Sequence, residues 1–296
     1  MWTDRSGSGD GRTYHRRVRV TRAVPAPPWD IAVPTRPGRL PGVTMAGFSD
    51  RADTLVEVEV EVVPHPAVMV IIDLGERPLV VDDGSGRQQR GSVAAGLAPP
   101  HGARGSGQAG SFACLQVRLS PVTASALLGA APGLSGTMAA LDDLWGREAE
   151  LLRERLRAAP TWDDRFAIAE AALTRRRGAG RAVDPEVAHC WRRMTASRGQ
   201  VRVEQLAAET GWSRKRLWHR FRAQIGLSPK RAAQLIRFDH AAHRLAAGHS
   251  AALVAAESGY ADQSHLHRDT LTFTGTTPAT VAAAPFLAVD DVAWPV

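Results

Sequence analysis

The chain lacks most of what would place it outside the ordinary globular class. Only two of its 296 residues are cysteine, Cys114 and Cys190. That is too few for a disulfide framework or a cysteine-based zinc site, and it suits a reducing cytoplasm. No apolar run reaches the roughly 18 residues that a membrane-spanning helix needs. The N-terminal arginines are followed by no apolar stretch, so no secretory signal is expected. Metal sites of β-barrel enzymes use a close histidine pair with a carboxylate. Here only His65 and His101 fall in the β-like region, far apart, and no metal site is expected. The glycine-rich stretches GSGRQQRG (84–91) and HGARGSGQAG (101–110) are followed by no Gly-Lys-Ser/Thr, so neither is a phosphate loop. They are expected to be surface loops, at the rim of a pocket. Ser92 and Ser111 lack a nucleophile-elbow context. With no acid–base, nucleophilic or metal cluster, neither an enzyme nor a resident cofactor is expected.

What is present is a normal globular balance, 44% apolar and 23% charged, with enough length for two domains. The net charge of +7 favours a polyanionic partner, and its distribution is more telling. Residues 1–36 carry +4, residues 37–183 carry −1 and residues 184–283 carry +6. The last third also holds seven of the ten histidines. Almost all the basic residues are arginine, which we ascribe to genomic base composition.

Residues 1–28 are rich in Gly, Arg, Pro and Ser without apolar periodicity and are expected to be a disordered basic arm. From Leu55 to Val63 apolar and acidic residues alternate, the mark of a half-buried strand. Ala67 to Leu74 is nearly all apolar and predicts a strand buried on both faces. Pro78 to Val81 and Phe112 to Leu119 predict further strands. Strands joined by Gly-rich turns suggest a small barrel or sandwich. The pattern changes at Ser120-Pro121, a cap followed by a first-turn proline. Leucines at helical spacing from Leu141 to Leu156, then a helix capped by Thr161, give this domain a helical tail. The basic stretch Arg175 to Arg181 lies in the expected linker, residues 175–183.

Two copies of one pattern follow. In the first, Val203–Thr210 is a short helix, Gly211-Trp212 a turn, and Ser213 caps a helix to about Gln224. In the second, Ser250 caps a helix from Ala251 to Ser258, Gly259-Tyr260 makes the turn, and Asp262 caps a helix from Gln263 to about Phe273. A longer helix, Pro229 to Ala247, joins them. Each copy is a helix-turn-helix, whose second helix can enter a major groove. Off the apolar seam lie Arg214, Lys215, Trp218, His219 and Arg222 on the first such helix. Gln263, Ser264, His265, His267 and Arg268 lie off it on the second.

The double unit resembles the DNA-binding domain of AraC/XylS transcription regulators. The most specific part is Gly259 to Pro278 (GYADQSHLHRDTLTFTGTTP), and the first unit repeats its ending in Gly226-Leu227-Ser228-Pro229. The sequence departs from that family's pattern at Thr270, His219 and Arg220. The resemblance implies a reader of two successive major grooves, about 34 Å apart. Arg214, Lys215, Arg222 and Arg268 would meet guanine edges or phosphates, Gln263 adenine, and Ser264, Trp218, His219 and His265 mixed contacts. Arg237, Lys230 and helix N-termini would meet phosphates.

The fold expected is α+β: a β-rich, cupin-like barrel with a helical tail (29–174), a linker, and an all-α domain with two helix-turn-helix units (184–283). A C-terminal tail (284–296) would pack back on a domain the sequence does not name. The partners expected are double-stranded DNA, RNA polymerase, a small-molecule effector in the first domain, and a second copy of the chain. The alternative is a first domain that only dimerises.

Overall fold

The computed structural model describes residues 29–36, 38–50, 58–98, 103–107, 112–129, 131–178 and 180–294. The expected basic arm, His101, Ser111 and residues 55–57 of the first expected strand lie outside them. The first part of the chain folds into ten strands: β1 (Trp29–Ala32), β2 (Val43–Asp50), β3 (Val58–Glu61), β4 (Val68–Asp73), β5 (Val80–Asp82), β6 (Gln88–Arg90), β7 (Val93–Ala95), β8 (Arg104–Gly107), β9 (Ala113–Leu119) and β10 (Met138–Ala140). They make two antiparallel sheets, in the orders β1-β2-β9-β4-β7-β10 and β3-β8-β5-β6.

The continuous apolar run of β4 is buried almost throughout, as its composition requires. It pairs with β9, placing Val70 opposite Val117 in the centre of the larger sheet. Pro78 was expected to begin a strand, but β5 starts at Val80. Proline has no N–H to give to a ladder, and the N–H of Leu79 donates to Asp73 Oδ2 at 3.2 Å instead. The two glycine-rich stretches expected as loops contain β6 and β8. Backbone ladder bonds hold these short strands where side-chain pattern gives no strand signal.

Helices follow: α1 (Pro121–Leu128), a 3₁₀ turn at Ala131–Leu134, α2 (Leu141–Trp145), α3 (Arg147–Ala158) and α4 (Trp162–Arg176). Ser120 accepts from the Thr123 N–H at the start of α1, and Thr161 accepts from the Asp164 N–H at the start of α4. Leu152, Leu156, Phe166 and Leu173 line up on the buried faces of α3 and α4.

The linker expected from residue 175 begins later, because α4 carries through Arg176. Arginine is a good helix former and a cation in the last turn meets the negative end of the helix. The remainder is fastened to α1: Gly180 N–H donates to the Ala126 carbonyl at 2.9 Å, and Ser125 Oγ donates to the Arg181 carbonyl at 2.9 Å.

Then come α5 (Pro185–Ala196), α6 (Val203–Thr210), α7 (Arg214–Ile225), α8 (Pro229–Ala246), α9 (Ala251–Glu257), α10 (Gln263–Thr274), α11 (Pro278–Ala282) and α12 (Pro285–Ala293). One apolar core runs from the sheets through α3 and α4 to Trp191, Phe221 and Phe238. A smaller one gathers Ala241, Leu245, Val254, Ala255, Tyr260 and Leu266 around α9 and α10.

The tail supplies α12. Val289 and Ala293 pack with Ala46, Phe48 and Cys114 of the larger sheet. Full burial of a valine or leucine is worth about 1.5–3 kcal/mol, so Leu287 and Val289, both nearly inaccessible, anchor this helix.

Candidate nucleic-acid interface and the cavity behind it

Both turns are built as the sequence requires. Gly211 and Gly259 stand at φ of +66° and +75°, in the left-handed region that glycine enters without cost. The second helices are then capped by Ser213, which accepts from Arg216 N–H, and by Asp262, which accepts from His265 N–H. Leu217 and Phe221 turn one face of α7 inward, and Leu266 and Phe273 do so for α10.

The opposite faces carry the candidate contact residues. On α7, Arg214, Lys215, Trp218, His219 and Arg222 are all exposed. Trp218 is 39% exposed, with the His219 ring edge-on at 5.0 Å and the Arg222 guanidinium at 5.1 Å. The three form one amphipathic cluster rather than separate side chains. Arg214 pairs with Glu204 of α6 at 3.3 Å but stays largely open. At that exposure water screens the pair and leaves Arg214 available.

On α10, Gln263, Ser264, His267 and Arg268 are exposed. His265 is half-buried, edge-on to the Tyr260 ring at 5.2 Å, so part of its surface is spent on the turn. Thr270 is fully buried and its hydroxyl donates to the Leu266 carbonyl at 2.9 Å. Arg220 pairs with Asp184 at 2.6 Å, tying α7 to the start of α5.

Arg237, expected at a phosphate, is engaged within the protein. Its guanidinium donates to Asp269 of α10 at 2.8 Å and lies 4.5 Å from the Tyr260 ring centre. Both partners of the pair are at most 15% exposed. Arg237 therefore clamps α8 to α10. Lys230, at the start of α8, is exposed.

Behind this interface, the two sheets enclose a cavity of about 110 Å³. Phe48, Met69, Ile71, Leu79, Phe112 and Met138 stand in its apolar wall. Gly105, within one of the glycine-rich stretches, lines it, and Val289, Asp290 and Trp294 of the tail close one side. Sequence reasoning missed what Asp290 does here. Its Oδ1 accepts from Arg118 Nη2 of β9 at 2.6 Å and its Oδ2 from His243 Nε2 of α8 at 3.2 Å. The other His243 nitrogen donates to the Asp239 carbonyl at 2.8 Å.

Burial opposes the His243 charge, but the hydrogen bond to Asp290 and the nearby Asp239 outweigh it and raise its pKa to about 9. Burial alone would raise the Asp290 carboxyl; the bond from His243 and the charge of Arg118 hold it below the usual range. Arg118 also lies 4.3 Å from the Trp294 ring. The sequence signal was two acids in an apolar tail, which names no partner; Asp290 is buried and Asp291 exposed.

A second route leaves the cavity. Gly96 lines it, and a Cβ at Gly96 would stand 1.9 Å from the Leu134 carbonyl oxygen. The 3₁₀ turn ending there meets α7, where Ser135 Oγ donates to the Ile225 carbonyl at 3.4 Å. Among the described residues, no cluster of His, Cys, Asp and Glu could hold a metal ion, and no helix is long and apolar enough to cross a membrane.

Residues 206–284 match the sequence profile of a helix-turn-helix domain family. No curated protein matches the chain. Among solved structures, the chain is similar to ToxT from Vibrio cholerae strain SCE256, in the apo form of a lysine-to-alanine variant, at 9% identity and a TM-score of 0.47, over 82% of this chain and 97% of that one. ToxT has also been solved with an unsaturated fatty acid bound. The C-terminal domain of AraT, a response regulator from Geobacillus stearothermophilus, matches at 19% identity and a TM-score of 0.32, over 34% of this chain and 85% of that one. The AraC-like transcriptional activator CuxR matches at 15% identity and a TM-score of 0.34, over 70% of this chain and 84% of that one. Residues 206–284 of the chain are a helix-turn-helix domain, carried behind a β-rich N-terminal part.

Proposed function

We propose that this protein is a sequence-specific transcription regulator that reads two successive major grooves and is controlled by a small molecule bound between its sheets. It works in the cytoplasm, as a binding protein rather than an enzyme. The observation that carries the first part is the pair of Gly-turned units, each presenting a capped second helix with exposed hydrogen-bonding side chains. Arg214, Lys215 and Arg222 supply cations to α7, and Gln263, Ser264 and Arg268 supply base-edge donors and acceptors to α10.

The second part is supported by the wiring of the cavity. Its wall includes α12, whose Asp290 joins β9 to α8, and Gly96, whose neighbour Leu134 leads to α7. A ligand that fits one arrangement of that wall better than another shifts the spacing or freedom of the reading helices.

Capture of genomic fragments by the purified protein at about physiological salt, followed by sequencing, tests the reading. An asymmetric motif with two blocks about one helical turn apart is expected. Retention without sequence preference would reduce the protein to a basic architectural binder.

A further inference from the structure

The inter-sheet cavity has a composition that selects among ligands. Its volume, about 110 Å³, is of the order of one six-membered ring, since an apolar cavity of about 150 Å³ holds benzene. Two methionines, Met69 and Met138, line it together with Phe48 and Phe112. Thioethers make favourable contacts with aromatic ring edges, which favours a flat ring over an aliphatic chain of equal volume.

The charges on the lining exclude most ions. Among the described lining residues there is no lysine or arginine, and the one ionised group is Asp290. Arg118 and His243 neutralise that carboxylate from behind. A carboxylate ligand would be desolvated beside another carboxylate, with the nearby cations Arg118 and His243 already paired to it, and a cationic ligand would find the Asp290 charge already spent. Cys114, also on the wall, has its thiol pushed up to about 12 by burial and stays neutral.

One polar group is left waiting. His65 is buried at the wall, where the cavity meets the cleft against α8, and its Nε2 has no hydrogen-bond partner among the described residues. Burial lowers the His65 pKa to about 3, so the ring is neutral; Nε2 is itself closed off within the wall, and a small turn of the ring lets it exchange one hydrogen bond with an uncharged group. Buried polar atoms without partners are rare. Gln116 is the other uncharged polar side chain on the wall, and its amide reaches Cys114 Sγ at 3.9 Å.

We propose that this cavity binds an uncharged single-ring molecule of the phenol or aromatic-alcohol class, whose hydroxyl meets Nε2 of His65. The proposal rests on reading the cavity as the effector site and narrows that reading to a chemical class. The ligand would sit against Trp294 and Asp290, the part of the wall that holds α8.

The test uses the full chain labelled with ¹³C-methyl methionine and titrated with phenol, toluene and benzoate. The chain has five methionines, and two of them line the cavity. Phenol is expected to shift the Met69 and Met138 methyl signals saturably, while Met194, buried in α5, stays fixed. Toluene should bind about tenfold more weakly, the worth of one uncharged hydrogen bond, and benzoate should leave both signals unmoved. In His65→Phe the preference for phenol over toluene should disappear. In Met138→Trp, which fills the cavity, neither should bind while the Met194 signal keeps its place.

Benzoate binding more tightly than phenol would overturn the proposal, as would the lack of any saturable shift with phenol. Retention of DNA fragments is measured in parallel. Methyl shifts with phenol and unchanged DNA retention would uphold the ligand class and overturn the effector reading. Methyl shifts and altered retention with benzoate alone would do the reverse.

Discussion

The two helix-turn-helix units share a plan and differ in almost everything built on it. The first unit is welded to the β-rich domain: Leu206, Leu217 and Phe221 belong to the core that runs back to the sheets. The second unit gathers a smaller core around Leu266 and Val254 and meets the main one through Phe273, stacked on Phe238 at 5.1 Å. It is held to α8 by the buried Arg237–Asp269 pair. Their outer faces differ as well. Three of the candidate contacts on α7 are cations, Arg222 among them lying against Trp218, whereas α10 offers Gln263, Ser264, His267 and one arginine, Arg268. We propose that the difference divides the labour, with charge-driven affinity and the link to the cavity on the first unit and most of the base discrimination on the second.

The largest expected effects come from cutting each core. Phe221→Ala and Leu266→Ala each remove a fully buried side chain, at a cost of about 3–5 and 2–5 kcal/mol. Phe221→Ala should lower the main calorimetric transition as a whole. Leu266→Ala should split off an early transition for α9 and α10, leaving the β-rich domain unchanged. Arg237→Ala strands Asp269 without its partner and should cost about 3–5 kcal/mol, read as the same early transition. A single unsplit transition in both second-unit variants would erase the contrast between the cores.

Smaller effects separate the reading faces. Arg268→Ala should weaken specific binding by about 1–3 kcal/mol and relax one position of the site. Arg222→Ala should weaken binding evenly across sequences and reduce the salt slope by about 1. Binding isotherms at several salt concentrations on matched and single-substituted sites measure both. Exchanged outcomes would reverse the assignment of the two units.

How much of this was visible in the sequence follows from how local each cause is. Ser213, Ser250 and Asp262 cap their helices from within one turn, and so the helix starts were legible to the residue. The glycine turns were legible for the same reason. The pairing of Arg237 was not legible, because its partner, Asp269, lies 32 residues away on another helix. Asp290 meets Arg118 across 172 residues, and no pattern along the chain couples them. The contact faces were legible as patterns, but the grouping of Trp218, His219 and Arg222, and the share of His265 spent on Tyr260, needed the fold.

The smallest effect concerns the bridge between the regions. The pKa of His243 is raised to about 9 from an ordinary 6.5. Its stabilisation is therefore complete below about pH 6.5 and lost as pH rises through about 9. Compared with His243→Gln, the native chain should melt higher at pH 6, and the gap should close by about pH 10. A gap that widens with pH would mean that His243 is neutral beside Asp290.

The central claim is that two helices joined through α8 read two grooves. Hydroxyl-radical footprinting on a captured fragment tests it most directly. The account predicts two protected blocks on one face of the duplex, centred about 10–10.5 base pairs apart. Arg268→Ala should weaken only one block, and Arg222→Ala the other. A single continuous block, or both blocks fading together in either variant, would contradict it.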